Sequence, residues 1–394
     1  MQLDETLIAQ QQVVRLQALL EASRLIHSTI ALDEVLHTVL QIVVRELELT
    51  GAFFTHFPNI YGDVPSEDQR IAHSELFTAF PLHDKNGETF SELVAIRPPD
   101  RILTLDELDF LESLAIQASV AIENARFHQR TVEWQRLESD LAAARNVQRS
   151  LLPQTMPNIP GYTVAMRSVT CYAVGGDYLD IVPMPNGHTT LVVADVAGKG
   201  LASALVGTSF RSAFRAMVNS GVPLLEVATR MNLLHYSEGQ QARLRYVTAI
   251  FFELDPASNT LQVVNAGHNP AFLLSPKGPL SDAVAITKID ASGTPVGLIP
   301  FSTYKVETYP IPPGTRLLVY TDGLTEVFRG EEEFGEARLL DSFCACDSVQ
   351  SEGVLESLWS TLDNFSDGQE QSDDMTALVL LRQPIPPATT EVSR

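Results

Sequence analysis

Four aspartates between residues 174 and 376 share one local context: each stands at or beside the end of a strand-like apolar run, next to small or polar residues that permit a tight turn. They are Asp177 in Val174-Gly175-Gly176-Asp177-Tyr178-Leu179-Asp180, Asp195 in Leu191-Val192-Val193-Ala194-Asp195-Val196-Ala197-Gly198-Lys199-Gly200, Asp322 in Leu317-Leu318-Val319-Tyr320-Thr321-Asp322-Gly323, and Asp373 in Ser372-Asp373-Asp374-Met375-Thr376. A strand that buries its body and ends in a carboxylate carries that charge to the rim of the core, where desolvation is costly without a countercharge. Several such carboxylates on one rim imply a cation. Hard oxygen donors with no His or Cys nearby select Mg²⁺ or Mn²⁺ over zinc or copper. A single strand-terminal Asp-Gly is explained by a turn or a helix cap, but four in one domain shift the balance to a metal centre. Asp180 and Asp374, close to these positions, read more simply as supporting or turn residues. Glu331-Glu332-Glu333 reads as a solvated loop.

The elements that must position the aspartates follow from the pattern after Pro157. Strand-like segments run over residues 162–169, 176–184, 188–195, 246–254, 260–266, 271–275, 305–311, 316–322 and 375–381, separated by turn residues. Helical spacing interrupts them at about 200–220 and 223–238, and twice more between 334 and 364. Runs of strands with inserted helix pairs predict an α/β sandwich of layers.

The N-terminal third has a different texture. Val13, Leu16, Leu20, Ile26 and Ile30 recur at helical spacing, and a second helix is expected from Asp33, as N-cap, through Val35, Leu36, Val39, Leu40 and Val43. Short strands at 52–57, 75–82 and 90–97 follow, the last two joined by a Lys85-Asn86-Gly87-Glu88 hairpin turn. They predict a small antiparallel sheet flanked by helices. Phe53, Phe54, Phe57 and Phe80 could line a pocket, although aromatics on strands are more often plain core. After Thr104 comes a helix with Leu111, Leu114, Ala118, Ala121 and Ala125 on one face, then a run through Trp134, Leu137, Leu141, Ala144 and Leu151 that is out of phase near Val132. The offset predicts a stutter in a helical connector ending at Pro153, and with it a dimerising linker; the alternative is one amphipathic helix packed on its own domain.

Composition bounds the function. The 394 residues suggest two domains and a linker. The formal net charge of −22 repels phosphate backbones and anionic lipid, so neither nucleic acid nor a membrane surface is an expected partner. Cys171, Cys344 and Cys346 cannot build a disulfide framework, which fits a reducing cytosol. No basic n-region opens the chain and no apolar run approaches a bilayer span, so a cytoplasmic protein is expected.

The order and wording of the C-terminal segments resemble the metal-dependent (PPM-type) Ser/Thr protein phosphatases, in the bacterial SpoIIE-like branch that includes regulators of sigma-factor partner switching. The likeness runs from about Val147 to Leu381. It includes Val147-Gln148-Arg149-Ser150-Leu151-Leu152-Pro153, the Asp177 and Asp195 segments, Asn265-Ala266-Gly267-His268-Asn269-Pro270, Gly293-Thr294-Pro295-Val296-Gly297, Tyr320-Thr321-Asp322-Gly323-Leu324-Thr325-Glu326 and Asp373-Asp374-Met375-Thr376. It implies an α-β-β-α sandwich and two ions, Mn²⁺ or Mg²⁺. Asp195 would bridge them, Asp322 and Asp373 would complete the first site, and Asp177 with the Val196 carbonyl would serve the second. A metal-bridging hydroxide would then attack phosphoserine or phosphothreonine directly, and no activated Ser or Cys nucleophile is evident. The implied substrate is a phosphorylated anti-anti-sigma factor of the STAS type. The first 130 residues resemble a GAF sensory domain, in the strands Leu76-Phe77-Thr78-Ala79-Phe80-Pro81-Leu82 and Leu93-Val94-Ala95-Ile96 and in the helix 114–126.

The expected organisation is a GAF-like domain at 1–128, a helical linker at 129–157, the phosphatase domain at 158–383 and a disordered tail at 384–394. Ala197 stands where many eukaryotic relatives carry a histidine that protonates the leaving group, which predicts modest turnover. Lys199 is the nearest basic residue to a substrate phosphate, with a solvent-facing lysine as the equal alternative, and His268 reads as scaffold. Gly175-Gly176-Asp177 resembles a diguanylate cyclase loop only superficially, since Tyr178-Leu179 follows in place of Glu-Phe. A catalytically inactive scaffold of the same fold is the remaining alternative, and loss of metal ligands would be its mark.

Overall fold

The computed structural model describes residues 17, 19–66, 70, 73–239, 244–276 and 284–384. Val13, Leu16 and the expected tail beyond residue 384 lie outside the described residues. The chain divides into two compact units, Met1–Ser139 and Asp140–Arg394.

In the first unit, helix α1 (Leu32–Glu46) covers a four-stranded antiparallel sheet of order β2-β1-β4-β3, formed by β1 (Gly51–Phe54), β2 (Ile60–Gly62), β3 (Phe77–His83) and β4 (Thr89–Ile96). The sheet flanked by helices is as the sequence predicts. The Asp84 carboxylate closes the β3–β4 turn by accepting from the amides of Asn86 and Glu88, both at 2.9 Å, and Gly87 takes the positive φ of 83° that the turn needs. Asp33 is not the N-cap: Ala31, two residues earlier, holds that position, and Asp33 sits in the first turn of α1, where its charge favours the helix dipole. Phe54 is buried in the core, with Phe57 and Phe80 packed against it. Phe53 packs on the other face of the sheet with Val94 and Ile96.

Helix α2 (Leu105–Leu151) is continuous through the residue where its apolar pattern slips. Leu111, Leu114, Ala118, Ala121, Ile122 and Ala125 are buried in the first unit's core, and no α2 residue beyond Ala125 is buried. The two phases of the pattern are therefore one helix with a packed half and an exposed half, which leaves Phe127, Trp134 and Leu137 exposed.

The second unit stacks two five-stranded sheets between two pairs of helices. One sheet has the order β11-β10-β13-β16-β5, from β5 (Tyr162–Val169), β10 (Ala271–Pro276), β11 (Val284–Ile289), β13 (Arg316–Tyr320) and β16 (Met375–Arg382). The other has the order β12-β9-β8-β7-β6, from β6 (Tyr178–Pro183), β7 (Thr189–Val196), β8 (Val247–Asp255), β9 (Thr260–Ala266) and β12 (Glu307–Pro310). Every pairing is antiparallel.

Period-two alternation explains the layers. Along β7, Leu191 and Val193 enter the core between the sheets, whereas Val192, Ala194 and Val196 face α3 (Leu201–Asn219) and α4 (Leu224–Ser237). Along β16, Leu378 and Leu380 point inward, whereas Ala377 and Val379 pack under α5 (Gly335–Ala345) and α6 (Ser351–Ser366). Central strands covered on both faces need apolar residues at every position, which is why they read as unbroken hydrophobic runs. The strand β11 and the β14–β15 hairpin (Phe328–Arg329, Glu332–Glu333) have no counterpart in the sequence reading. Val284, Ala285, Ile286, Thr287 and Lys288 along β11 are exposed or only half-buried, as befits an edge strand with a weak apolar signal. Glu332 and Glu333 stay exposed in their hairpin, with Glu332 paired to Arg329 and Arg338.

Candidate active site

The strand register brings the first two aspartates together. Tyr178 pairs with Ala194 in the β6–β7 ladder, so continuing the ladder by one residue sets Asp177 beside Asp195. The next step sets Gly176 against Val196. A side chain at Gly176 would have its Cβ 3.0 Å from the Val196 carbonyl oxygen, so glycine is what allows the two strands' ends to meet there.

The other two aspartates come from the facing sheet. Tyr320 pairs with Ala377, and beyond that pair Thr321 N–H donates to the Thr376 carbonyl at 2.9 Å. Asp322 opens the one-turn 3-10 helix Asp322–Leu324, and Asp373 lies two residues before β16. Gly323 rests on the backbone between them, where a Cβ would stand 2.0 Å from the Asp374 carbonyl oxygen.

His268 ties the sheets together beneath this rim. Its Nδ1 is 2.9 Å from the hydroxyl of Thr248, the residue opposite Asp195 in the β7–β8 ladder, and its Nε2 is 3.0 Å from the Tyr320 carbonyl. Burial pushes its pKa down to about 4, so the ring is neutral and both nitrogens are engaged. This is a structural role, as the sequence suggested.

Burial and mutual repulsion both act on the gathered carboxylates. Burial raises the Asp177 carboxyl well above its ordinary range, and Asp195 raises it further. Asp195 is pushed up to about 7, first by burial and then by the charges of Asp322, Asp373 and Asp374. Burial and Asp373 raise Asp322. Asp177, Asp195 and Asp322 thus shift in the direction of protonation, and divalent cations reverse such a shift. Lys199 is exposed, as the solvent-facing alternative has it, but it is paired with the acidic rim. Its ammonium is 2.9 Å from Asp373 Oδ2, donates to the Ser372 carbonyl at 2.6 Å, and is pushed up by the hydrogen bond to Asp373. Thr321 Oγ1 donates to Asp177 Oδ2 at 2.8 Å. Among the described residues, no three His, Cys, Asp or Glu side chains form a ready cage for one ion. The donor chemistry nevertheless fits Mg²⁺ or Mn²⁺: hard carboxylate oxygens, with no imidazole or thiolate among the gathered groups.

Asp374 and Asp180 do support the site, as the sequence suggests, whereas Arg245 carried no signal in the sequence. Asp374, buried beside Asp373, accepts from the amides of Cys171 and Gly176, both at 2.7 Å, and so holds the glycine pair before Asp177. Arg245 Nη1 lies 3.5 Å from the Ala197 carbonyl and 3.4 Å from Ser203 Oγ, bracing the loop after Asp195. Asp180 is fully buried and accepts from Arg215 Nε and Nη2 at 2.5 and 2.7 Å, tying β6 to α3. Strand parity does hint at the Asp180 burial, since it places this carboxylate opposite Val192 in a ladder whose neighbours are all apolar.

The family profile "Stage II sporulation protein E (SpoIIE)" matches residues 185–383. Protein IcfG of Synechocystis is 26% identical over 271 residues, covering 62% of this chain and 41% of that protein. Phosphoserine phosphatase RsbU of Bacillus subtilis is 25% identical over 301 residues, covering 75% of this chain and 84% of that one. This chain thus spans less than half of IcfG but most of RsbU. The SiaA-PP2C domain of Pseudomonas aeruginosa shares the fold, with a TM-score of 0.54 at 20% identity over 63% of this chain and 97% of that domain. No GAF profile matches the N-terminal region, whose family is unassigned. No helix among the described residues is long and apolar enough to cross a membrane.

Proposed function

This chain belongs to the SpoIIE family of PP2C-type serine phosphatases, and from that premise we propose that it hydrolyses phosphoserine or phosphothreonine on a regulatory protein, an anti-anti-sigma factor of the STAS type. Asp177, Asp195, Asp322 and Asp373, with the Val196 carbonyl, would hold two Mn²⁺ or Mg²⁺ ions. Such ions, when bound, acidify water and neutralise charge on a phosphate ester. The observation that carries the reading is the placement of Asp177 beside Asp195 at the end of the β6–β7 ladder, with Asp322 and Asp373 brought close enough from the facing sheet for their charges to act on Asp195. A fold that gathers carboxylates against their mutual repulsion retains them for a cation.

Other residues support direct attack by water. The Cys171 thiol is pushed up by burial, so it is no ready nucleophile. His268 is neutral and bonded on both nitrogens, so it does not relay a proton to the rim. All four acidic positions stand, which favours an enzyme over an inactive scaffold. Phosphate release from a phosphorylated STAS protein should require Mn²⁺ or Mg²⁺ and stop in EDTA. Saturating Mn²⁺, at ~100 times its Kd, should also stabilise the folded chain by roughly 2.7 kcal/mol. Equal release with and without EDTA would reject the metal mechanism.

The N-terminal unit would act as a GAF-like sensor, with the exposed half of α2 as a dimerising linker. Phe127, Trp134 and Leu141 recur every seven residues there, as a seam against a second copy requires. A change in the phase of α2 would shift α3, which begins just after Asp195 and Val196, and ligand geometry is sensitive to small shifts. Comparing the full chain with residues 140–394 tests this regulation by rate and by Mn²⁺ affinity. Identical values for both would remove it. The free cysteines suit a reducing cytoplasm.

A further inference from the structure

Each residue of Gly175-Gly176-Asp177 has its own anchor. Asp177 takes a hydrogen bond from Thr321, and Gly176 gives one to Asp374. Gly175 is held from a different direction, by the end of α2. Gln148 Nε2 donates to the Gly175 carbonyl at 2.7 Å, and the Gly175 amide donates to Gln148 Oε1 at 3.2 Å. A side-chain amide that pairs with both polar groups of one peptide residue imitates a strand neighbour, and two parallel bonds fix orientation as well as distance.

The helix end is itself fastened. Arg211, on α3, donates through Nε to the Leu151 carbonyl at 2.9 Å, satisfying one of the orphan acceptors at the α2 C-terminus, and Leu152 packs against the core under α3 and α4. Gly207 on α3 closes the other side, where a Cβ would come within 3.3 Å of the Gly176 carbonyl oxygen. Arg211 fixes the backbone end of α2 at Leu151 while the Gln148 side chain, one turn earlier, reaches Gly175, so the second contact depends on the rotational phase of a helix whose end is held. Rotation of the helix by a single residue, ~100°, would carry the Gln148 carboxamide away from Gly175.

We propose that Gln148 is a positioning residue for the catalytic centre: its carboxamide locks Gly175, and through it the Asp177 carboxylate, so that binding of a divalent cation depends on the phase of α2. This rests on the phosphatase reading above and goes beyond it by naming the contact that links the helix to the ligand loop directly, without passing through α3.

The test compares the full chain with Gln148→Ala, Gln148→Asn and, as a control, Val147→Ala, whose side chain is exposed. Calorimetry with Mn²⁺, hydrogen exchange of the 175–178 amides, and kcat and KM on a phosphoserine peptide are read for each. Gln148→Ala should weaken Mn²⁺ binding about tenfold, the size expected for losing an indirect support of a metal ligand. It should also speed exchange at Gly175 and lower kcat at fixed Mn²⁺, with KM unchanged. Asparagine, one methylene too short, should behave likewise if the alanine variant folds poorly, and Val147→Ala should match wild type. A folded Gln148 variant with wild-type Mn²⁺ affinity and wild-type exchange at Gly175 would overturn the proposal. A wild-type chain that neither binds Mn²⁺ nor releases phosphate would instead overturn the phosphatase reading, while exchange at Gly175 still reports whether Gln148 pins the loop.

Discussion

Replacing Asp195 with asparagine is expected to abolish most phosphate release while making the metal-free protein harder to unfold. Asp195 is the proposed bridging ligand, and even indirect supports of a metal ligand are worth 10–100-fold, so a loss of at least about 100-fold should follow. The stability effect runs the other way. Burial, then Asp322 and Asp373, push the folded carboxyl to about 7, above the unfolded value of ~3.9. The folded metal-free chain therefore holds a proton that the unfolded chain has released, and it loses stability progressively from about pH 4 to about pH 7, with the full penalty above that window. Asparagine cannot ionise. The melting temperature of Asp195→Asn should match that of the wild type near pH 4 and exceed it at pH 8 by at least roughly 3 °C, given ~2–4 °C per kcal/mol for a unit of this size. Added Mn²⁺ should stabilise the wild type and leave the variant nearly unmoved. Wild-type turnover, or a lower melting temperature at pH 8, would take Asp195 out of the centre.

Arg215→Met should have the largest effect on stability. Asp180 is wholly buried, and its oxygens are satisfied by the Arg215 guanidinium, the Tyr178 hydroxyl and the Ile181 amide. Removing the guanidinium strands a buried carboxylate, a loss measured elsewhere at about 3–5 kcal/mol. The Arg215 side chain is 35% exposed, so the lower end of that range, about 3 kcal/mol, applies here. Calorimetric melting should drop by roughly 6–12 °C. The double variant Asp180→Asn with Arg215→Met should regain more than half of the loss, because no bare charge remains. Activity should fall in the single variant too, since β6 begins at the residue after Asp177. A single variant within about 1 kcal/mol of wild type would show that water, not Arg215, compensates Asp180.

The legibility of this protein in its sequence follows from where the physics is local. Nearly unbroken apolar runs such as Leu191–Val196 and Met375–Leu381 announce strands because both faces of a central strand are covered, and their ends mark the aspartates because a desolvated carboxylate tolerates few other settings. The motif order from Gly176 to Thr376 carries the family. Edge elements such as β11, half wet and weakly patterned, leave no such trace. Neither did the helix start at Leu32, where a plausible cap residue lies one step inside the first turn.

Which residues are acidic, apolar or glycine, and in what order, was determined by the chain itself; it dictated two layered sheets, a helical connector and a set of strand-end carboxylates. Only the tertiary structure decided who meets whom at the rim. Lys199 reaches Asp373 across 174 positions, Thr321 reaches Asp177 across 144, and Gln148 reaches Gly175 from another element. Such contacts are set by the ladder register and by how helices lie on the sheets, quantities to which every residue of an element contributes, so no local window of sequence contains them.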